Sequence, residues 1–457
     1  MKRPSQAARL NETCLCLQLA AHPQMPPEPG TPCAGKPREP YPGRPDDAQG
    51  SGPLAEGSDE SPARARQTAS KVGDSLLYSP HPLFVSQDDA RAMARFVGLF
   101  HTVTQSQRFR SLVAPHLPGI ARHDSGAVGV FDGYDFHLTA DGPRLIEVNT
   151  NAGGLLLNHQ HLSRHPLTLR QACCERQRLE LPLTERSTDF ERDIVDVFLQ
   201  EHQRRGATSP PVNVAIIDDR PTQQFLYPEF LLFQDLLQRH GYPTVIADPH
   251  ECQYREGHLF VGDVPIDLVY NRHTDFYLES PALEGLRQAY LDNAITLTPN
   301  PNAYGFRADK GLLILMSDAS FLEELSLPRE EREFLLRMIP KTRRLDRHSA
   351  DELWQQRKRW FFKPLNGHGG KAVYSGQKIT KGTWKTLLES PYVAQERVDP
   401  SRRIVSEHPD QPPLKADIRY YVYDGRILQR MARLYSGQTT NFRTPNGGFS
   451  PLVIVPE

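Results

Sequence analysis

The segments Tyr134-Asp-Phe-His-Leu-Thr-Ala-Asp-Gly142 and Arg144-Leu-Ile-Glu-Val-Asn149 alternate polar and apolar residues on either side of a glycine turn. That pattern has one economical folding solution, a β-hairpin with two unlike faces. Ala140-Asp141-Gly142 suits a three-residue loop ending on a glycine in the left-handed conformation. This register sets Asp135 opposite Glu147. Alternation then places Asp135, His137, Glu147 and Asn149 on one face, and Tyr134, Phe136, Leu138, Ile146 and Val148 on the core face. Two carboxylates directly opposite repel each other, so their placement is explained by a hard cation between them, Mg²⁺ being the natural candidate. A solvated hairpin face with scattered acids is the competing explanation.

The chain of 457 residues is long enough for two or three domains. Twelve of its 40 prolines precede residue 63, in company with Gly, Ser, Glu and Arg. Residues 1–75 are therefore expected to be disordered or weakly ordered. With 54 basic and 55 acidic residues and a net charge of −1, no field attracts a nucleic acid or an anionic membrane. No apolar run is long enough for a transmembrane helix. The stretch Cys14 to Ala21 resembles a signal-peptide core only faintly, since Gln18 interrupts it and no small-x-small cleavage site follows. The six cysteines, Cys14, Cys16, Cys33, Cys173, Cys174 and Cys252, form no C-x-x-C pair. Reduced thiols in a cytoplasmic protein are expected.

Helical spacing runs from Gln87 to about Leu117 through Met93, Phe96, Val97, Phe100 and Val103, and again from Asp189 to about His202. Val212-Asn-Val-Ala-Ile-Ile217 then reads as a buried parallel strand. A helix from Pro228 to about His240 and strands at 243–247, 266–270 and 295–298 follow, with another helix near Leu283 to Leu291. Alternation of this kind predicts a small doubly wound sheet, in which ligands gather at the carboxyl ends of strands. Helices from Asp309 to Met316 and Pro328 to Met338 come next, and from Trp360 onward strands and turns dominate.

Phe361-Phe-Lys-Pro-Leu-Asn-Gly-His-Gly-Gly-Lys-Ala-Val373 is a strand, a lysine, a glycine-dense turn and a second strand. Its backbone N–H groups suit a polyphosphate, and a plain hairpin would use the same glycines. Tyr392-Val-Ala-Gln-Glu-Arg-Val-Asp399 is an apolar strand ending in polar groups suited to an adenine edge and a ribose hydroxyl; an ordinary edge strand reads the same way. Arg433 suits charge developing on a transferring phosphoryl group. Arg272 lies where a strand of the parallel unit ends and suits a substrate carboxylate, or a structural ion pair. Asn151-Ala-Gly-Gly154 offers N–H groups beside the acidic hairpin, and a tight turn would need the same glycines.

The ordered series K-P-x-x-G-x-G-G-K at 363–371, A-Q-E at 394–396, D-x-R-x-x-V-x-D-G at 417–425, Ala432-Arg433, and asparagine followed by Gly447-Gly448 resembles the nucleotide-binding half of the ATP-grasp superfamily. It is especially similar to glutathione-synthetase-like ligases. In that family a helix and a D…E-x-N hairpin follow the G-G turn; here they stand near the start, at 87–149. Joining the end of the chain to about residue 85 restores the usual series. The resemblance therefore implies an α/β (α+β) chain with an ATP-grasp fold in circularly permuted order and a small doubly wound preceding domain. The implied divisions are 76–165 for the helix and metal hairpin, 166–210 for a helical connection, 211–305 for the preceding domain and 306–457 for the nucleotide-binding region.

The implied activity is ligation: ATP activates a carboxylate as an acyl phosphate, and an amine attacks to give an amide, ADP and phosphate. Asp135, Glu147 and Asn149 would hold Mg²⁺, with Asp132 as an alternative to Asp135. Lys310, Lys363, Gly367, Gly369, Gly370 and Lys371 would meet phosphates, and Gln395, Glu396, Val398 and Asp399 the nucleoside. Arg433 and Asn441 are the implied catalytic residues, with Asn446 as an alternative to Asn441, and Arg272 and Arg419 would bind substrate. The implied cofactors are ATP and Mg²⁺, and the partners small-molecule or peptide carboxylates and amines, with no nucleic acid and no membrane. An ATP-grasp phosphotransferase and a non-catalytic nucleotide-binding protein are the alternatives.

Overall fold

The structure, a computed structural model, describes residues 5–12, 15–18, 77–164, 168–171, 179–180, 189–365, 372–406, 411–441 and 444–455. A large sheet runs in the order Leu83–Ser86, Gly448–Val455, Arg426–Tyr435, Leu414–Tyr423, Asp132–Thr139, Gly142–Asn149. The first two strands are parallel and every later neighbour is antiparallel. Segments from opposite ends of the sequence thus share one sheet, with Ser86 paired to Val455.

Helix Gln87–Gln105 leaves directly from that pairing. Ser86 Oγ accepts from Asp89 N at 3.1 Å, and Asp88 and Asp89 sit in the first turn, where the helix dipole favours acids. Met93, Phe96, Val97 and Phe100 are fully buried, and Phe96 meets the rings of Tyr134 and Phe136 edge-on. The spacing predicts one helix to about Leu117; the structure breaks it at Ser106, which is extended and caps a second helix, Gln107–Val113, through Phe109 N.

In the acidic hairpin Asp135 does pair with Glu147, though by a different route. Thr139 pairs with Gly142, leaving a loop of Ala140 and Asp141 only, and Gly142 takes φ +103°. The lost residue reappears as a bulge: Phe136 pairs with Leu145 and Asp135 with Glu147, so Ile146 is extra. The core face is therefore Tyr134, Phe136, Leu145 and Val148. Ile146 was expected there, and the bulge turns it toward a cavity instead.

Of the four smaller sheets among the described residues, two four-stranded ones complete the frame of the site. One is parallel, in the order Thr296–Thr298, Leu268–Asn271, Val214–Ile217, Thr244–Ala247. It is accompanied by helices Tyr227–Arg239 and Glu284–Leu291 and by a three-stranded meander, Cys252–Arg255, His258–Val261 and Val264–Ile266. The other is antiparallel, in the order Thr342–Leu345, Tyr392–Glu396, Trp360–Pro364, Tyr374–Ser375, over its own core of Leu353, Trp360, Phe362, Trp384 and Leu387. The glycine-dense turn of this sheet, residues 366–371, lies outside the described residues. Among the described residues no helix is long and apolar enough to cross a membrane.

Ser5 to Glu12 fall inside the segment expected to be weakly ordered, yet Gln6–Asn11 is a helix docked on the large sheet. Asn11 grips the backbone of Phe84 from both sides, donating to its carbonyl at 2.8 Å and accepting from its N–H at 2.9 Å. The fully buried Arg403 donates to the carbonyls of Pro82 and Asn11, at 2.7 and 3.1 Å. The connection at 166–210 also holds a strand, Thr168–Gln171, paired with Leu15–Gln18, ahead of helix Phe190–Arg204. Asn11→Ala is expected to cost about 1–3 kcal/mol, because it strands two buried backbone groups. A shift of the urea midpoint at unchanged slope is the readout.

Candidate active site

A cavity of about 440 Å³ lies where the acidic hairpin faces the antiparallel sheet. The bulge builds the junction. With Ile146 out of register, its carbonyl accepts from Lys363 Nζ at 3.2 Å and from Gln395 Nε2 at 3.3 Å. One carbonyl thus ties the front of the chain to two cavity-facing side chains of the antiparallel sheet. Burial lowers the pKa of the Lys363 ammonium, Lys310 adds to that, and Glu147 opposes it.

Asp135 is almost completely buried and heavily engaged. Arg419 pairs with it bidentately, at 2.7 and 2.6 Å, and Arg433 reaches Oδ2 at 2.8 Å. The pairing follows from register, since Arg419 stands opposite Asp135 on the adjacent strand. Burial works against the Asp135 charge, but the two guanidinium groups outweigh it and hold the carboxyl below its ordinary range. Arg433 also donates to Asp417 Oδ1 at 2.6 Å, and Thr440 donates to the other oxygen of Asp417. Burial disfavours the Arg433 cation, and Asp135 and Asp417 on either side restore it.

Asn149 Nδ2 lies 3.3 Å from Asp135 Oδ2 and 3.2 Å from Glu147 Oε1. Among the described residues no three His, Cys, Asp or Glu side chains group as a metal site. The donor set here is two carboxylates and an amide, and oxygen donors suit Mg²⁺. The amide donor bridging both acids stands where a cation would satisfy the same charges, and rotating the amide would turn its oxygen to that point. Glu147 and Asn149 fit the ion, and Asp135 would share its oxygens between the ion and two arginines. Asp135 is already shared by two arginines, so Glu147 carries most of the remaining negative charge. Asp132 is on the opposite face of the strand, paired with Arg307 at 2.7 Å, and does not line the cavity.

Lys310, Lys363, Gln395, Glu396, Val398, Arg419 and Arg433 all line the cavity. His137 Nδ1 lies 2.9 Å from the Val398 carbonyl, fixing the end of that strand to the acidic hairpin. Asp399 does not line the cavity and pairs with Arg397. Asn441 ties its own loop, donating to Ser436 O at 2.8 Å, and neither it nor Asn446, which adopts φ +59°, lines the cavity. Gly367, Gly369, Gly370 and Lys371 lie outside the described residues.

Arg272 is buried and does not line the cavity. It donates to Asn151 O at 2.8 Å and to Tyr270 Oη at 3.1 Å, while Asn151 Nδ2 reaches back to Arg272 O at 3.3 Å. Glu229, unread in the sequence, accepts from Gly154 N at 2.8 Å and from Leu156 N at 3.1 Å. It thereby caps helix Leu155–Arg164. The glycine turn gives the Gly154 N–H to this internal carboxylate. A Cβ on Gly153 would come within 2.3 Å of Leu226 Cδ1 and 2.9 Å of an Arg272 nitrogen, so a side chain there would have to displace both. Glu229→Gln is expected to destabilise the fold by about 2 kcal/mol through its lost charge-assisted hydrogen bonds. Thermal unfolding read against Glu191→Gln, an exposed control, checks this.

No family model matches the sequence, and no curated protein matches it. Among solved structures the chain is similar to a glutathione synthetase-like effector from Globodera pallida, with TM-score 0.48 and 12% identity over 86% of this chain and 96% of that one. It is also similar to a protein provisionally assigned as gamma-glutamylcysteine synthetase from Methylobacillus flagellatus KT, with TM-score 0.43 and 11% identity over 81% and 88% of the two chains. A third likeness is to the ATP-grasp ligase PsnB in complex with a minimal precursor, with TM-score 0.30 and 13% identity over 53% and 77%. All three scores are low, so the reading of the site rests on its own residues.

Proposed function

We propose that the protein is an ATP-dependent carboxylate–amine ligase with an ATP-grasp site in circularly permuted order. The observation that carries this reading is the Ile146 carbonyl holding Lys363 and Gln395, which sets an acidic hairpin and a cationic sheet on one cavity. The order of elements agrees. Gly448–Val455 runs parallel to the strand that enters helix Gln87–Gln105, so a join from the chain end to that helix would be short.

In this reading Lys363 and Lys310 bind phosphate oxygens, and Gln395, Glu396 and the Val398 backbone hold the nucleoside. Asp135, Glu147 and Asn149 would hold Mg²⁺, which supplies positive charge against the phosphates when bound. A substrate carboxylate oxygen attacks the terminal phosphorus and the bond to ADP breaks, giving an acyl phosphate. The amine nitrogen, once its ammonium proton is lost, bonds the acyl carbon as the bond to phosphate breaks, and the second N–H proton leaves with the phosphate or to solvent. Arg433 and Arg419, pre-aligned by Asp135 and Asp417, stabilise negative charge on the transferring group.

The test is a screen of amino acids, short peptides and polyamines for ADP formation with Mg²⁺ and ATP, with mass analysis of products. Ligation requires ADP release that depends on an amine and yields an amide. Release without an amine points to phosphotransfer, and no nucleotide turnover or binding at all rejects an enzyme.

A further inference from the structure

Another part of the cavity lining is aromatic and ends at Asp309, which precedes Lys310 in the chain. Phe276 and Tyr304 stack with ring centroids 4.1 Å apart and planes 11° from parallel, and both line the cavity beside Asp309. Tyr304 is only 5% exposed. Tyr277, Tyr290, Tyr421 and Tyr423, also buried, each donate their hydroxyl to a protein oxygen. The Tyr304 hydroxyl has no hydrogen-bond partner among the described residues, and it is not sealed off from the cavity. A buried polar group in that condition is a place for a ligand atom. Burial, reinforced by Asp309 and Glu147, pushes its proton release far above the ordinary tyrosine range, so it remains a neutral donor and acceptor.

Two neutral donors orient Asp309: Tyr277 Oη donates to Oδ2 at 2.5 Å and Gly311 N to Oδ1 at 2.7 Å. Lys310, the next residue, lines the same cavity. A carboxylate, an open hydroxyl and an aromatic face form a receptor for a cation that carries N–H donors. We infer that Phe276, Tyr304 and Asp309 form the acceptor subsite, and that it takes an amine in its ammonium form on an apolar or aromatic body. The inference deepens the ligase reading and rests on it for the word acceptor; the binding chemistry stands apart from turnover.

Benzylamine and its neutral isostere benzyl alcohol are the probes, titrated calorimetrically into the full chain. Benzylamine is expected to bind at least about tenfold more tightly than the alcohol, as one charge-assisted hydrogen bond provides. Asp309→Asn should erase that preference, and Tyr304→Phe should weaken benzylamine severalfold while the fold survives. Equal binding of the two probes, no binding of either, or a preference that persists in both variants overturns the subsite. Titration of Mg²⁺·ATP into the same preparation separates the two ideas: nucleotide binding without amine discrimination removes the subsite alone. Amine discrimination without nucleotide binding removes the ligase reading and leaves the cation receptor standing.

Discussion

Asp135→Ala is expected to destabilise the protein by about 3–5 kcal/mol, the usual consequence of deleting one member of a buried ion pair. The magnitude follows from what remains. Arg419 and Arg433 are each buried, and Asp135 receives three of their hydrogen bonds, all between 2.6 and 2.8 Å. Asp417 would still balance Arg433, whereas Arg419 would face the cavity with no carboxylate at its fork. Glu147→Gln, at the paired position of the same hairpin, should change stability by less than about 1 kcal/mol, since it deletes a charge that anchors no guanidinium. Urea denaturation of the two variants side by side measures the difference. Equal stabilities would mean that the arginine cluster finds other partners, and the site as described would be wrong.

The second large effect is on turnover. Lys363→Ala and Glu147→Gln are each expected to lower ATP turnover about 100- to 1000-fold while the protein stays folded, the scale of removing one preorganised charge or donor from a reacting group. Lys363 is mostly buried, and among the described residues its one hydrogen bond to protein is to a carbonyl rather than an acid. Its ammonium is therefore available to an anion at little structural cost. A pre-steady-state measurement of ADP formation with circular dichroism on the same samples decides the point. Wild-type rates in both variants would remove the lysine and the acid from the chemistry.

Much of this site was legible because the signals were local. The loop register and strand alternation brought Asp135 opposite Glu147, while the glycine-dense turn at 366–371 lies outside the described residues. The bulge at Ile146 was not legible: a shorter loop and an extra residue cancel in the Asp135–Glu147 pairing, so the pattern looks the same either way. Its consequence, the carbonyl that receives Lys363 and Gln395, was hidden with it. Arg272 was ambiguous for a different reason. Its place at a strand end suits a substrate carboxylate or a structural contact, and only long-range packing shows its guanidinium on the Asn151 carbonyl. The edge strand Thr342–Leu345 carries two arginines and no clear alternation, so nothing local marked it. Ser5 to Glu12 lie beside a proline-rich stretch, and composition averaged over the segment masked a capped helix held by Asn11. Tyr304 gave no signal at all, because an unpartnered hydroxyl is a property of its surroundings.

The most direct measurement titrates ATP into the protein with and without Mg²⁺, in wild type, Glu147→Gln and Lys363→Ala. If the acidic hairpin and the antiparallel sheet serve one magnesium nucleotide, wild type binds one ATP per chain more tightly with metal. Glu147→Gln should lose the gain from metal, and Lys363→Ala should lose at least about tenfold in affinity, or 1.4 kcal/mol, in either condition. Metal-independent binding that neither variant changes would contradict the account.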